Sequence, residues 1–287
     1  MHERHPTAQV VQVHDRIFLV DCGEGTQMQM SRFKIRRNKI SHIFISHLHG
    51  DHYFGLAGLL SSYALNGRTE DLWLYAPAPL QQILELQFQA ANAVLPYPLH
   101  FVALQGEQDL YEDKRLVISC FEVDHRVPCW GFLFREKKKP LHLVGEKLKE
   151  YAIPSSFYRQ LKEGADYITK EGFIIKNEWV TEAPSPSLSY AYCADTAYME
   201  SLAGKLKGVT LLYHETTYLA ASQEKAFSRG HSTTVEAASL AAKAGVKRLL
   251  IGHYSSRYEK LDEFLEECRP VFRDTSLAIE GVTYLVS

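Results

Sequence analysis

Residues 43–52 read Ile43-Phe44-Ile45-Ser46-His47-Leu48-His49-Gly50-Asp51-His52. An apolar triplet too short for a helix runs straight into three imidazoles and a carboxylate packed within six positions. Side chains that directly follow a strand are held by the sheet edge. Imidazole nitrogen and carboxylate oxygen are the donors that borderline divalent metals such as zinc prefer. Three histidines crowded at one strand end repel when protonated and gain nothing when neutral, so a plain polar turn is the poorer account. Six residues cannot close two metal shells, and remote donors are required. The sequence offers them at further strand ends: His125 after Glu122-Val123-Asp124, Asp195 after Tyr192-Cys193-Ala194, and His253 after Leu250-Ile251-Gly252.

Outward from this cluster, strands and helices alternate. Val10–Val13 and Ile17–Val20 form a predicted hairpin whose second arm stops at Asp21-Cys22-Gly23-Glu24-Gly25, followed by a helical stretch at Gln27–Phe33. Amphipathic helices are expected at Leu56–Leu65 and Pro79–Ala93, on either side of a strand at Leu72–Tyr75; a proline in the first turn opens the second helix. Strand-like runs follow at Phe101–Leu104, Leu116–Val123 and Gly131–Phe134. From about Leu143 to Glu182 no period is sustained, which predicts an inserted segment. Alternation resumes with strands at Leu188–Cys193, Val209–Tyr213 and Arg248–Ile251 and helices at Ser201–Leu206, Thr234–Ala244 and Lys260–Cys268. One α/β domain over 1–287, with two sheets and outer helices, is the expected class, and a two-domain split near residue 143 is the alternative that the pattern leaves open.

The chain has 287 residues, 46% hydrophobic and 23% charged, enough to bury a substantial core and too apolar for disorder. With 32 Lys+Arg against 34 Asp+Glu the net charge is −2, so a polyanion must be held by a local patch rather than a global field. Five cysteines, none in a C-x-x-C, argue against a disulfide framework and against a cysteine zinc site. No apolar run reaches membrane-spanning length, and Glu3 and Arg4 stand where a leader would be apolar, so no membrane association and a cytoplasmic location are expected.

Several segments together resemble one family. Phe18-Leu19-Val20-Asp21-Cys22-Gly23-Glu24-Gly25-Thr26-Gln27 and His47–Leu56 are similar to its opening motifs. His125-Arg126-Val127-Pro128, Cys193-Ala194-Asp195-Thr196, His214-Glu215-Thr216-Thr217, Gly230-His231-Ser232-Thr233 and Gly252-His253-Tyr254-Ser255-Ser256-Arg257-Tyr258 are similar to its later ones. The chain resembles the metallo-β-lactamase-fold hydrolases and, within them, RNase Z, the tRNA 3′-processing endoribonuclease. That resemblance implies an αββα sandwich with a projecting arm at 143–182 that grips precursor tRNA, a homodimer, and two Zn2+ per chain, with Mn2+ or other divalent ions as substitutes. It implies one ion on His47, His49 and His125, a second on Asp51, His52 and His253, and Asp195 between them.

The chemistry agrees with that assignment. Two close divalent ions can hold a hydroxide for attack on a phosphodiester and brace the attacking and leaving oxygens. Asp51 is a candidate proton acceptor. Expelling a ribose 3′-oxygen needs a donor, and His231 is the candidate, oriented by Glu215; His214 reads as structural, and Ser232 or Thr233 as a helix cap. Arg32, Lys34, Arg36, Arg37 and Lys39 form a basic run beside the histidine motif, with Lys34, Arg36 and Arg37 matching the family's tRNA-end loop. Arg135, Lys137, Lys138 and Lys139 form a second run. Two features depart from the family. Ala152-Ile153-Pro154-Ser155-Ser156-Phe157 replaces its Gly-Pro arm motif, and the family's first strand and Gly-Thr-Gly turn, which precede the segment matching His5-Pro6-Thr7, are not in this sequence. The alternative reading is a hydrolase of small phosphodiesters or sulfate esters, which the same ligands would serve; a third is a metal-stabilised RNA-binding module without turnover.

Overall fold

The computed structural model describes residues 4–287; Glu3, named above against a leader, lies outside the described residues. The chain forms two compact units. One comprises the residues up to Tyr111 together with Ile118–Phe134 and Ser189–Ser287, and the other comprises Glu112–Val117 and Arg135–Leu188.

The chain opens with the antiparallel hairpin β1 (Gln9–Val13) and β2 (Arg16–Val20), then β3 (Ile40–Phe44), β4 (Leu72–Ala76) and β5 (Leu99–Ala103), which make one sheet in that order. β2 through β5 are parallel, joined by helices that include Leu56–Leu65 and Pro79–Ala90. In β2, Phe18, Leu19 and Val20 are fully buried because both faces are covered. Ile17 and Leu19 join Ile40, Ile43, Leu56, Leu60, Leu72 and Leu74 under the helices. Phe18 turns the other way, onto Phe44 and edge-to-face on Phe134 with ring centroids 5.7 Å apart. This aromatic layer is the core between the two sheets.

β6 (Gln108–Glu112), β7 (Leu116–Val123) and β8 (Cys129–Glu136) follow. The second unit then holds the short strands β9 (His142–Leu143), β10 (Tyr167–Ile168), β11 (Ile174–Ile175) and β12 (Thr181–Glu182) and a small core of its own, Leu148, Ile153, Leu161, Ile175 and Val180. In it Lys147 pairs with Glu150, Arg159 with Glu163 and Lys176 with Asp166. Lys137 and Lys139 of the second basic run are likewise paired, with Glu112 and Glu136.

β13 (Ser189–Cys193), β14 (Leu211–Glu215), β15 (Arg248–Gly252) and β16 (Thr275–Leu277) are mutually parallel and complete a sheet ordered β16-β15-β14-β13-β8-β7-β6. Two of its strands lie outside the sequence expectation. β6 is exposed at its charged residues Asp109 and Glu112, and β16 is only three residues long, so neither carries the apolar run that marks a strand. The expected helix at Thr234–Ala244 is present to the residue, with Thr233 as N-cap in a reciprocal bond with Glu236 and Gly245 in the left-handed conformation closing it. Among the described residues, no helix is long and apolar enough to cross a membrane.

Candidate metal centre

The site forms where parallel strands end together. Cys193 of β13 lies opposite His214 of β14, and Glu215 opposite Gly252 of β15, so the residues leaving those strands meet at one edge. β3 delivers Ser46–His52 to it and β7 delivers His125. Carboxyl ends of parallel strands are where an open α/β sheet leaves room for a ligand.

The seven residues expected at the centre converge: His47, His49, His125 and Asp195 form one donor set, Asp51, His52 and His253 a second, and Asp195, His231 and His253 also lie within reach of one another. In the first, His49 Nδ1 is 3.0 Å from His47 Nε2 and 3.1 Å from His125 Nε2. Asp195 Oδ2 is 3.7 Å from His47 Nε2 and 4.0 Å from His125 Nε2. In the second, His52 Nε2 and His253 Nε2 are 3.3 Å apart. Asp195 Oδ1 lies 3.4 and 3.2 Å from them, and Asp51 Oδ2 lies 3.7 and 3.5 Å from them.

These separations test the fit of a metal. Donors bound at about 2.0–2.1 Å around a tetrahedral ion lie about 3.3–3.4 Å from one another, and both sets scatter about that value. Further support comes from the outer nitrogens. His125 Nδ1 donates to the Gly230 carbonyl at 2.6 Å and His52 Nδ1 to Asp21 at 2.8 Å, so each ring turns its Nε2 lone pair inward. Asp195 is buried, yet its Oδ1 has no hydrogen-bond partner. A buried carboxylate oxygen without a donor is costly unless a cation satisfies it. The residues present fit divalent metal on chemical grounds.

Charge is balanced within the cluster. Burial pushes the Asp195 carboxyl up, but His253 and His52 outweigh it and hold the group well below the usual carboxylate range. Burial, reinforced by His52, pushes His47 down to about 2, which keeps it a neutral donor. His253 goes the other way, to about 9, because Asp195 and Asp51 overcome its burial.

His231 and Glu215 meet as expected. Glu215 is fully buried and accepts His231 Nδ1 at 2.9 Å, the backbone N–H groups of Thr196, Thr217 and Ser232 at 3.1, 2.8 and 3.0 Å, and Thr217 Oγ1 at 2.8 Å. Thr217 Oγ1 also meets His253 Nδ1 at 2.9 Å, so one carboxylate anchors the loops that carry both histidines. His231 Nδ1 also lies 3.9 Å from Asp195 Oδ2. His214 is buried and bonds through Nδ1 to its neighbour's carbonyl oxygen. Gly230 has φ +67°, and a Cβ there would stand 2.8 Å from His125 Nδ1, so only glycine lets this loop close on the histidine.

Lys34, Arg36 and Arg37 lie between the helix Thr26–Arg32 and β3. Lys34 and Arg36 are exposed, whereas Arg37 is half-buried, its carbonyl accepting the Tyr63 hydroxyl. Three further participants carried no assigned role in the sequence: Asp21, Ser46 and Thr217. Asp21 belongs to the 18–27 motif, and its φ of +58° is tolerated by few residues besides glycine, asparagine and aspartate. Only that motif signalled it.

Solved structures share this fold. The short form of human tRNase Z matches with a TM-score of 0.70 at 23% identity, over 99% of this chain and 96% of that one. The metallo-β-lactamase-fold protein YhfI from Bacillus subtilis matches with a TM-score of 0.69 at 20% identity, over 98% and 92%. Fold and donor sets therefore define a metallo-β-lactamase-fold, divalent-metal-binding protein, as the sequence implied. The family profile described as Anti-Pycsar protein Apyc1 matches residues 2–93. Ribonuclease Z of Bacteroides thetaiotaomicron is 38% identical over 98% of this chain and 90% of its own length. Ribonuclease Z of Porphyromonas gingivalis is 40% identical over 96% and 91%, and that of Trichodesmium erythraeum 38% over 93% and 85%. The chain belongs to the ribonuclease Z family.

Proposed function

We propose that this protein is a metal-dependent endoribonuclease that removes 3′ trailers from precursor tRNA and leaves a 3′-hydroxyl on the tRNA. The observation that carries this reading is the pair of donor sets joined by Asp195, in a chain about two-fifths identical to Ribonuclease Z over nearly its whole length. His47, His49 and His125 would hold one ion, Asp51, His52 and His253 a second, and Asp195 would serve both; zinc suits the nitrogen-rich sets. Bound there, the ions supply Lewis acidity that acidifies water and offsets charge on the phosphodiester.

The remaining roles fall to side chains. Asp51 is the proton acceptor, since its side chain is 49% exposed against 3% for Asp195 and can be reached by water. His231, its Nδ1 fixed by Glu215, presents Nε2 as the nitrogen that protonates the departing 3′-oxygen. Lys34, Arg36 and Arg37 meet the phosphates near the tRNA end. The segment 143–182 is an inserted arm of a single catalytic domain and contacts the tRNA body. A cytoplasmic homodimer is part of the same reading, supported by the family resemblance and checked by sedimentation.

Incubation with a precursor tRNA bearing a 3′ trailer, with both product ends mapped, tests the function. Cleavage after the discriminator nucleotide is expected. Turnover of a small chromogenic diester with no cleavage of tRNA would transfer the site to small phosphodiesters or sulfate esters.

A further inference from the structure

The buried carboxylate of Asp21, at the end of β2, is tied to the histidine loop. Its Oδ1 accepts the Ser46 backbone N–H at 2.7 Å, and its Oδ2 accepts Ser46 Oγ at 2.9 Å and His52 Nδ1 at 2.8 Å. The fourth donor comes from the other sheet: the Tyr192 hydroxyl in β13, at 2.6 Å from Oδ2 and three residues before Asp195. It is the shortest of the four bonds, and a hydroxyl on an ionised oxygen is the stronger kind. The Tyr192 ring cannot wander. It is buried and stacks on Tyr213 with centroids 5.1 Å apart and planes 10° from parallel. Tyr213 in turn fills the space beside Gly252, where a Cβ would come within 2.5 Å of the phenol oxygen. His253 is the next residue.

We propose that Tyr192 is a positioning residue of the metal site, acting through Asp21 to fix the His52 ring against Asp195 and His253. Three donors converge on one carboxylate oxygen, and the phenol is the only one of them outside the histidine loop. It therefore references that loop to the sheet that carries Asp195 and His253. Without it, the carboxylate follows Ser46, and the His52 ring turns with it. The effect falls mainly on the set containing His52, whose ring bonds Asp21 directly, because the other set reaches Asp21 only through the Ser46 hydroxyl, 3.0 Å from His47 Nδ1.

This inference rests on the reading that both donor sets bind metal. Tyr192→Phe keeps the ring and its stack and removes only the hydroxyl. Zinc affinity for each of two ions, read by competition with a chromophoric chelator, is expected to fall about 10–100-fold for one ion and less than about threefold for the other, the size of effect seen when an outer partner of a metal-binding histidine is lost. The thermal midpoint of the metal-free variant, measured alongside, separates this from a packing defect. Equal weakening of both ions together with a lower midpoint, or no weakening at all, overturns the proposal while leaving the metal-site reading in place. A measurement on the unaltered protein covers a variant that fails to fold: imidazole nitrogen shifts of the zinc-loaded wild type should place the His52 proton on Nδ1. A proton on Nε2 overturns the proposal, and a wild type that binds no zinc overturns it along with the reading beneath it.

Discussion

Glu215→Gln separates the chemistry of this site from its architecture. The carboxylate accepts five bonds, three on Oε1 from the Thr196 N–H, the Ser232 N–H and His231 Nδ1, and two on Oε2 from the Thr217 N–H and hydroxyl. A glutamine amide must turn its NH2 toward one group or the other. Toward the Oε2 group the Thr217 hydroxyl can rotate to accept, but the Thr217 N–H then faces another donor; toward the Oε1 group three donors are opposed. The better orientation strands two buried donors at about 1–3 kcal/mol each, so the variant should lose about 2–6 kcal/mol of stability. Against a typical total of about 5–15 kcal/mol a loss at the lower end of that range leaves the variant folded, and urea unfolding reads which end applies. The imidazole loses its anionic partner at Nδ1, and kcat on precursor tRNA should fall by about 10²–10⁴, as for the loss of a general acid. His231→Ala should lower kcat as much, keep its metal, and cost only about 1 kcal/mol, since four donors still satisfy Glu215. In the double variant the kcat loss should not deepen, while the stability loss should be that of Glu215→Gln. Single-turnover cleavage and urea unfolding read the two effects. Lost stability with wild-type kcat would refute the coupling and leave Glu215 as a structural anchor alone.

Other expectations follow from the same geometry. Asp195→Ala removes the one carboxylate common to both sets, so metal analysis should show loss of at least part of one ion and cleavage should disappear; unchanged metal content and rate would reduce Asp195 to a turn residue. Replacing Lys147–Gly172 by a short Gly/Ser linker should lower kcat/KM for precursor tRNA at least about tenfold, mostly through KM. Residues 147–172 carry five Lys/Arg against four Asp/Glu, so that loss should leave the salt dependence of kcat/KM nearly unchanged, and a large change would mean the arm works by pairing with phosphates. Arg36→Ala should do the opposite. Removing one cation from a single-strand phosphate should flatten the plot of log(kcat/KM) against log salt by about 0.7, and an unaltered slope would place Arg36 on an ordinary solvated face.

The donor chemistry was legible in the sequence because it is local. An apolar strand run that leads into Ser46 and His47, or into Gly252 before His253, announces itself over a few residues, since burial on a sheet selects the run and the strand's end fixes the side chain. The helix Thr234–Ala244 was legible for the same reason, with its cap and its closing glycine both encoded next to it. Which donors meet was not local. His52 and His253 are 201 residues apart and come within 3.3 Å only because the sheet that holds β3 packs on the sheet that holds β15. Only the sheet order could turn the two oxygens of Asp195 to different donor sets and leave one of them without a hydrogen bond. Asp21 and Tyr192 were hidden more deeply, one as part of a motif without a role and the other as one aromatic among many in a strand. A phenol and a carboxylate 171 residues apart become partners only when two sheets pack face to face, because burying each alone would cost free energy that their 2.6 Å bond removes.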